Sequence, residues 1–420
     1  MPIIFIVLGL LAIVFLGAPL FSVIGTISLI GFSSQDINTA AIIVEMYRLA
    51  SQPVLLAIPL FTVSGYFLAE SKAPQRLVEF AQALIGWVPG GLAIVVLVTC
   101  ALFTAFTGGS GITIVALGGL VFPILLAERY SEKFALGLVT TSGSLGLLFP
   151  PSLPIILYGT VSGVSIDQLF RAGIVPGVLL VFVLAVYSVR QGVSSRIARR
   201  PFEIRKVWTT LRHVAWEIPL PFFIIGGIYG GYFTATEAAA VTAFYVFIVE
   251  VFIYKDLKLT TDVPRVMKES MVLVGAILMI LATAMGLTSF LIDQQVPQKL
   301  FELIRQFVES RILFLMILNV FLLAIGMMME IFSAIVVVPL IVPIAQQYGV
   351  NPIHLGIIFL ANLEIAYLMP PVGMNLFMSS FRFKKTIGQV TLATLPFILV
   401  LITALLIITY VPALSLWLVK

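Results

Sequence analysis

The sequence predicts an all-α membrane protein that crosses the bilayer several times and contains two inverted-topology repeats. Its 420 residues are 60% hydrophobic and only 10% charged, whereas soluble domains carry about 25% charged residues. The apolar stretches are long and continuous, which excludes a β-barrel, because barrel strands alternate polar and apolar residues. In addition, the polar and helix-breaking residues of segment 326–377 recur 220 positions earlier in the chain.

Each repeat is predicted to join a re-entrant helical hairpin to a helix broken at a Pro-Pro pair. Pro370 and Pro371 match Pro150 and Pro151 without a gap. Further matches at the same offset are Pro343 with Pro123, Ser333 with Thr113, Glu330 with Ser110, Asn362 with Ser142, and Glu364 with Ser144. Proline removes a backbone N–H donor and disfavours helix in the residue before it, so helix ends and free carbonyls are left inside the membrane. Such paired interruptions indicate a transporter binding site.

Membrane spans followed by an amphipathic arm begin the chain. Residues 3–31 are apolar, and at about 1.5 Å per residue this stretch is long for one crossing of a ~30 Å hydrocarbon core and short for two. The number of crossings there stays open. The next span covers residues 50–68, and residues 71–83 then alternate polar and apolar side chains at helical spacing. That pattern is typical of a helix lying along the membrane interface.

Two short apolar arms meet at a small-residue turn within residues 90–127. The turn reads Thr107-Gly108-Gly109-Ser110, and each arm is too short for a full crossing. We favour a re-entrant hairpin with its tip inside the membrane over the alternative, two helices packed closely through glycine. The span that follows, 134–160, is broken at Pro150 and Pro151.

A basic linker at residues 190–213 sets the predicted topology. It contains a lone acidic residue, Glu203, and the basic residues Arg190, Arg196, Arg199, Arg200, Arg205, Lys206 and Arg212. Short basic loops face the cytoplasm, and the later basic clusters at 255–268 and 382–385 fit the same side. Counting spans then makes hairpin 90–127 enter from the cytoplasm and hairpin 312–346 from outside, so the repeats are antiparallel.

The second half supplies the matching elements in order. They are spans 217–232, 235–254 and 270–293, an amphipathic piece at 297–309, the hairpin 312–346, the broken helix 353–381 and a last span at 386–417.

Ionisable and amide side chains at membrane depth are costly and mark functional sites. Glu330, at the second hairpin tip, is predicted to bind a cation or anchor the tip, or else to cap the half-helix that follows. Asn362 and Glu364 face the same broken region, and we favour a functional or tip-supporting role for both. Glu237 is interpreted as a helix cap and Glu250 as a side chain that snorkels from a span end.

Three other residues have simpler interpretations. Cys100 is the only cysteine and is predicted to pack in an apolar helix. His213 and His354 are placed at loop edges, without the neighbouring ligands that a metal site needs.

Unwound carbonyls and Ser, Thr and Asn side chains supply the oxygen ligands that suit a small alkali cation. Half-helix N-termini pointing at the same place offer partial positive charge to an anionic group. The sequence therefore predicts that Na⁺ and an anion bind near the pseudo-two-fold axis between the repeats.

Specific motifs spread over nearly the whole chain carry a family resemblance. They are Leu55-Leu56-Ala57-Ile58-Pro59-Leu60-Phe61, Gly108-Gly109-Ser110, Leu148-Phe149-Pro150-Pro151-Ser152, Gly226-Gly227-Ile228-Tyr229-Gly230-Gly231, Thr234-Ala235-Thr236-Glu237, Gly326-Met327 with Glu330, Asn351-Pro352-Ile353-His354 and Pro370-Pro371-Val372-Gly373-Met374-Asn375. With these motifs the sequence resembles the large membrane (M, DctM-like) subunit of the tripartite ATP-independent periplasmic (TRAP) transporters, in the ion-transporter superfamily.

The resemblance implies an elevator-type secondary transporter in the bacterial cytoplasmic (inner) membrane. It implies Na⁺-driven uptake of organic anions, such as C4-dicarboxylates or sialic acid, delivered by a soluble periplasmic binding protein. A small four-helix Q subunit would pack on the scaffold. The implied division of the chain is scaffold spans 1–68, amphipathic arm 69–88, first transport-domain hairpin and broken helix 89–160, span and cytoplasmic linker 161–216, scaffold spans 217–295, amphipathic arm 296–311, second transport-domain hairpin and broken helix 312–381, and last span 382–420.

The resemblance also implies one Na⁺ beside each hairpin tip and its broken helix. The residues carried over for Na⁺ site 1 are Gly108, Ser110, Ser142 and Gly146, and those for Na⁺ site 2 are Gly326, Glu330, Asn362 and Gly373. Substrate contacts are expected from Thr113, Ser144, Ser152, Ser333 and Asn375. Many relatives carry a Ser-Gly-Ser type of first tip, whereas this chain has Gly109 before Ser110, which affects the side-chain ligands of site 1.

Two other functions compete with this interpretation. A secondary carrier that works without a binding protein has the same sequence physics, and a channel-like pore is opposed by the sparse, central placement of the polar residues. The sequence contains no evident nucleophile, base or metal cluster of the kind that would indicate an enzyme. The net charge of +5 is interpreted as a topology signal and not as a nucleic-acid-binding one.

Overall fold

The regular elements of the described chain are all helices, as the sequence predicts. A computed structural model describes residues 17–35, 37–88, 90–194 and 202–419. Within these ranges, seven helices are long and apolar enough to cross a membrane, and shorter apolar helices accompany them. The predicted all-α class is confirmed.

The first half contains ten helices in the described ranges. They are α1 (Leu20–Ser34), α2 (Ala40–Ala50), α3 (Pro53–Glu70), α4 (Ala73–Ile85), α5 (Gly91–Thr107), α6 (Ser110–Ala127), α7 (Glu132–Ser142), α8 (Leu153–Ser162), α9 (Ile166–Ser194) and α10 (Ile204–His213).

The second half contains ten more. They are α11 (Pro219–Tyr229), α12 (Ala235–Ile253), α13 (Asp262–Asp293), α14 (Val296–Arg305), α15 (Arg311–Met328), α16 (Ile331–Gln347), α17 (Pro352–Ala366), α18 (Met374–Phe383), α19 (Ile387–Tyr410) and α20 (Ala413–Leu416).

Each predicted hairpin consists of two helices that meet at a two-residue turn. α5 is stopped by Gly108, whose left-handed backbone has φ +65°, and α6 begins at Ser110. Glycine tolerates this conformation because it has no Cβ. In the second hairpin, α15 and α16 are separated by Met329 and Glu330, both in extended conformation.

Both predicted helix breaks are present. α7 ends at Ser142 and α8 begins only at Leu153, while α17 ends at Ala366 and α18 begins at Met374. Each break contains its Pro-Pro pair, and both pairs are joined by a cis bond. Proline cannot continue a helix through either break, because it lacks the N–H that would extend the hydrogen-bond ladder.

Three elements differ from the sequence-based expectation. α2 was not predicted, because its 11 residues are too few to form a span. α10 lies inside the stretch interpreted as a linker; its apolar residues, including Ile204 and Trp208, recur at helical spacing among basic ones. The last long helix ends at Tyr410 and not at 417, because Pro412 follows it. Part of the predicted apolar stretch 3–31 lies outside the described ranges, and so do residues 195–201 of the linker.

The arm helix α4 is tied to α12 and the chain before α11 by a buried ion cluster. The guanidinium of Arg76, only 12% exposed, pairs with Glu217, with Glu250 at 3.0 Å and with Asp256 at 2.6 Å. It also lies 3.8 Å above the ring of Tyr254. Burial raises the pKa of Glu217, and the nearby Arg76 charge opposes this effect.

The interpretation of Glu250 as a snorkelling side chain is wrong. Its carboxylate is fully buried and faces inward to Arg76. A buried carboxylate requires a compensating partner, and sequence alone did not show that the guanidinium 174 residues earlier would provide it.

The interpretation of Glu237 as a helix cap is confirmed, and that of His354 as a loop-edge residue is wrong. Thr234 accepts from the Glu237 N–H, and the Glu237 carboxylate accepts from Thr234 in return, which is a capping box. His354 lies in the first turn of α17 and is completely buried, because the last helices of the chain pack over that turn.

Removing the guanidinium of Arg76 is expected to destabilise the fold strongly. An Arg76→Met variant leaves three buried carboxylates without their shared cation, and breaking such a pair costs about 3–5 kcal/mol. The measurement is the thermal unfolding midpoint of the detergent-purified protein.

The matched control is Arg265→Gln, which breaks a 2.7 Å pair with Glu70 in which the two side chains are 45% and 39% exposed. An exposed pair contributes little to stability, so the control is expected to unfold near the wild-type midpoint. Equal shifts for the two variants contradict the assignment of Arg76 as the anchor of the arm.

Candidate ion and substrate site

The first hairpin tip and the first break are joined through Thr104. Its hydroxyl lies 2.7 Å from the hydroxyl of Thr113 on the opposite arm and 2.8 Å from the carbonyl oxygen of Gly143 in the break. A carbonyl oxygen only accepts, so Thr104 donates to Gly143 and accepts from Thr113. The three residues are buried, which fixes this tip against the unwound segment.

Close backbone packing holds the first tip from two further sides. The backbone of Phe106 and Thr107 approaches α3 at Gly65, where a Cβ would lie 2.5 Å from the Thr107 Cα. Gly108 faces α8, and a Cβ there would lie 2.5 Å from a methyl carbon of Leu153. The first tip is therefore closely packed against α3 and α8.

The second tip contacts the second break in the same manner. The phenol oxygen of Tyr367, the first residue after α17, accepts from the backbone N–H of Ile331 at 2.6 Å. A Cβ at Gly326 would lie 2.6 Å from the Cβ of Ala366. The absence of a side chain at Gly326 thus lets α15 pack directly on the end of α17.

Hydrogen bonds also join the two halves at the breaks. Asn375, in α18, donates to the carbonyl oxygen of Thr140 at 3.2 Å. Ser144, in the first break, donates to the backbone carbonyl oxygen of Glu364 at 3.2 Å. The hydroxyl groups of Thr140 and Ser379 are 2.8 Å apart. These buried side chains therefore connect the two halves into one polar region beside the breaks.

Several buried oxygen atoms in this region have no hydrogen-bond partner among the described residues. They are the hydroxyls of Thr107, Ser110 and Thr141, the amide oxygens of Asn362 and Asn375, and both carboxylate oxygens of Glu364. Buried polar atoms are normally paired, and an isolated buried carboxylate is costly unless a cation or a proton compensates it. Hard cations prefer oxygen ligands, so these unpaired oxygen atoms are suitable ligands for one.

The residues predicted for Na⁺ site 1 have different structural roles. Ser110 is 3% exposed and has a free hydroxyl at the start of α6. Ser142 donates within its own helix to the carbonyl oxygen of Val139 at 3.2 Å. Gly146 lets the break approach α5, since a Cβ there would lie 2.5 Å from the backbone nitrogen of Ala105.

The residues predicted for Na⁺ site 2 lie on packed helices and in the break between them. Asn362 is fully buried and its amide oxygen is free. Glu330 occupies the cap position of α16, but its side chain makes no capping hydrogen bond. Gly373 lies within the second break, where a Cβ would be 2.7 Å from the carbonyl oxygen of Tyr367.

The predicted substrate contacts fall into two groups. The hydroxyls of Thr113, Ser144 and Ser152 are engaged within the protein, with Thr104, Glu364 and Leu147 respectively. Asn375 keeps a free amide oxygen, and Ser333 is half-buried near the second tip.

Sequence reasoning did not single out Thr107, Thr141 or Asn319 as site residues. Thr107 and Thr141 are adjacent to the predicted positions Gly108 and Ser142. Asn319 is an isolated amide in an otherwise apolar helix, 4% exposed, which is a usable signal because such residues are costly in a membrane.

Comparison with known proteins identifies the family. A family model described as "Tripartite ATP-independent periplasmic transporter, DctM component" matches residues 4–414. The chain belongs to this family.

The names of three relatives of this DctM-family chain refer to three different solutes. The C4-dicarboxylate TRAP transporter large permease protein DctM of Pseudomonas aeruginosa is 36% identical over 93% of this chain and 92% of that protein. The isethionate TRAP transporter permease protein DctMQ of Oleidesulfovibrio alaskensis is 35% identical over 86% of this chain and 58% of that protein. The ectoine TRAP transporter large permease protein TeaC of Halomonas elongata is 29% identical over 97% of each.

A solved structure shares the fold. The YdaH transporter of Alcanivorax borkumensis superimposes with a TM-score of 0.63, covering 90% of this chain and 87% of that one at 15% sequence identity. The helical architecture of this DctM-family chain is thus one already seen in a membrane transporter.

We expect that Gly108 does not tolerate a side chain, because its backbone is left-handed and Leu153 lies close to it. In a Gly108→Ala variant, left-handed backbone costs about 1–2 kcal/mol for a non-glycine residue, and the contact with Leu153 adds about 1–3 kcal/mol of overpacking. The thermal unfolding midpoint measures the sum.

Gly163→Ala isolates the backbone contribution, so the difference between the two variants measures the contact with Leu153. Gly163 has the same left-handed backbone, with φ +71°, but no atom of the described residues lies within 4 Å of the added Cβ. Its midpoint is expected to fall less than that of Gly108→Ala. Identical midpoints would show that the tip is not confined by α8.

Proposed function

We propose that this chain is the large membrane subunit of a Na⁺-coupled secondary transporter that imports small organic acids. The observation that carries the proposal is the set of unpaired buried oxygens at the first hairpin tip and on the helices that border the two breaks. We place the protein in the bacterial inner membrane, with segment 190–213 in the cytoplasm, and treat Na⁺ as a co-substrate of the transport cycle.

The donor chemistry supports Na⁺. The free groups are hydroxyl, amide and carboxylate oxygens, and oxygen donors suit hard cations. The first site would use Ser110 with neighbouring backbone carbonyls, and the second would use the amide oxygen of Asn362. Glu364 would supply negative charge between them.

Helix N-termini support an acidic solute. α8 and α18 begin at the two breaks, and α6 and α16 begin at the two tips. The N-terminal ends of helices carry partial positive charge and unpaired N–H groups, which stabilise anionic groups. The C4-dicarboxylate and ectoine named for two relatives carry a carboxylate, and the isethionate named for a third carries a sulfonate, so we propose an organic solute with an anionic acid group.

The contact between Ser144 and Glu364 supports inverted repeats and an elevator movement. These residues are 220 positions apart, which is the offset that aligns the two halves of the sequence. Equivalent residues of two repeats meet where a pseudo-two-fold axis passes. We propose that the hairpins and broken helices move as one body against a scaffold containing α3, α12 and α13.

The family description supports two protein partners. It names a tripartite periplasmic transporter, and this chain covers 58% of a relative whose name, DctMQ, combines two subunits. We propose a small membrane subunit and a periplasmic solute-binding protein as the partners of this chain.

The decisive experiment is uptake into proteoliposomes that contain this chain and a matching small membrane subunit. A periplasmic binding protein loaded with radiolabelled carboxylic acid is added, with and without an inward Na⁺ gradient. Uptake that requires both the gradient and the binding protein supports the proposal. Uptake without the binding protein supports a self-sufficient carrier, and flux that ignores the Na⁺ gradient refutes the coupling.

Loss of the Ser110 hydroxyl is expected to weaken Na⁺ activation in that assay. Ser110→Ala removes one cation ligand, so the Na⁺ concentration for half-maximal uptake is expected to rise about tenfold, equivalent to ~1.4 kcal/mol. Membrane insertion should be unchanged, because this hydroxyl makes no hydrogen bond within the described protein.

The control is Ser28→Ala. Ser28 is equally buried, but its hydroxyl donates to the carbonyl oxygen of Ile24 at 2.9 Å within α1. Its Na⁺ activation should match the wild type. If Ser110→Ala also matches the wild type, the hydroxyl does not bind Na⁺.

A further inference from the structure

A buried chain of polar side chains joins three helices behind the second hairpin tip. Asn319 lies on α15, Asn362 and His354 on α17, and Thr409 near the end of α19. Asn319 is 4% exposed, and the other three are fully buried. The proposed ion site uses only Asn362 of this set and does not account for Asn319, His354 or Thr409. The hydrogen bonds continue from His354 to Ser415 on α20.

The direction of the first hydrogen bonds follows from the chemistry of the groups. The Asn362 amide lies 2.8 Å from the carbonyl oxygen of Ile358 and 2.7 Å from the side-chain amide of Asn319. The Ile358 carbonyl only accepts, so the Asn362 atom facing it is the NH₂ group. Both N–H bonds of that group are then used, one to Ile358 and one to the amide oxygen of Asn319.

This arrangement leaves the amide oxygen of Asn362 pointing away from the chain of hydrogen bonds. It is one of the unpaired buried oxygens of the site. Turning the amide over would place its oxygen against the Ile358 carbonyl, two acceptors facing each other. The orientation of Asn362 is thus enforced by its neighbours.

Asn319 is held in turn by Thr409 on α19. The Asn319 NH₂ group donates to the Thr409 hydroxyl at 3.1 Å. The backbone carbonyl of Thr409 lies 3.1 Å from Nε2 of His354, so that nitrogen carries a proton and donates. Nδ1 of His354 lies 3.1 Å from the hydroxyl of Ser415. Each member of the chain is therefore fixed by the next.

We propose that Asn319 is a positioning residue for Na⁺ site 2. It orients the Asn362 carboxamide so that its oxygen is presented to the cation, with Thr409 holding Asn319 in place. This inference rests on the proposed Na⁺ coupling. Groups that orient a ligand from behind commonly change metal affinity by about 10–100-fold when removed.

The test is Na⁺ binding to the purified protein, measured without transport. The thermal unfolding midpoint is followed as Na⁺ replaces choline at constant ionic strength, since a ligand that binds only the folded state raises it. The wild type is expected to gain stability with rising Na⁺. Asn319→Leu is expected to need about tenfold more Na⁺ for the same gain.

Two further variants keep the proposal falsifiable if Asn319→Leu does not fold. Thr409→Val removes only the hydroxyl that holds Asn319 and is expected to raise the required Na⁺ concentration severalfold. Thr394→Val, on the same helix, is equally buried, but its hydroxyl bonds only to the backbone of α19, at Val390 and Thr391. It should leave Na⁺ binding unchanged.

The outcomes separate the two proposals. A wild type with no Na⁺-specific stabilisation refutes Na⁺ binding itself. In a second outcome, Na⁺ stabilises the wild type, and the Asn319→Leu or Thr409→Val variants lose basal stability but keep the wild-type Na⁺ dependence. This result shows that the chain of hydrogen bonds is only structural. An Asn319→Leu change that has no added effect in an Asn362→Leu background supports positioning through Asn362, because residues acting in one unit are not additive.

Discussion

The need to satisfy backbone polar groups away from water governs this structure. A continuous helix satisfies its own N–H and C=O groups, but the helical path is interrupted between α7 and α8 and between α17 and α18, in segments that contain the Pro-Pro pairs at 150–151 and 370–371. Irregular backbone at membrane depth is tolerated only where protein or a cavity surrounds it. The hairpin tips provide that surrounding, through Thr104 bonding to Gly143 and Tyr367 bonding to Ile331.

The same constraint explains why the polar groups are concentrated in one region. Each break brings carbonyls and helix ends into a low-dielectric interior, where an unpaired polar group is costly. The side chains at the breaks satisfy some of these groups and leave other oxygens free, including those of Ser110, Asn362 and Glu364. The stability of the fold and the proposed ion site therefore depend on the same residues.

Sequence reasoning predicted the elements whose signal is local. The hairpins, the Pro-Pro breaks and the Glu237 cap each follow from a few adjacent residues, and the structure contains them. The two side chains that were misassigned have partners distant in sequence. Glu250 was interpreted as a snorkelling side chain because Arg76 is 174 residues away, and His354 as a loop-edge residue because Ser415 is 61 residues away. In the candidate site, the residue types were predictable, but not which hydroxyls are already engaged, as in Thr113, and which are free.

The buried position of Arg76 also affects the order in which the protein is assembled. Its three carboxylate partners follow it by 141, 174 and 180 residues. At about 5–20 residues per second, synthesis of that intervening chain takes roughly 10–40 seconds. During that interval the guanidinium has no buried partner and stays in water or among lipid headgroups. α4 can therefore form this buried ion cluster only after the chain has been synthesised as far as Asp256.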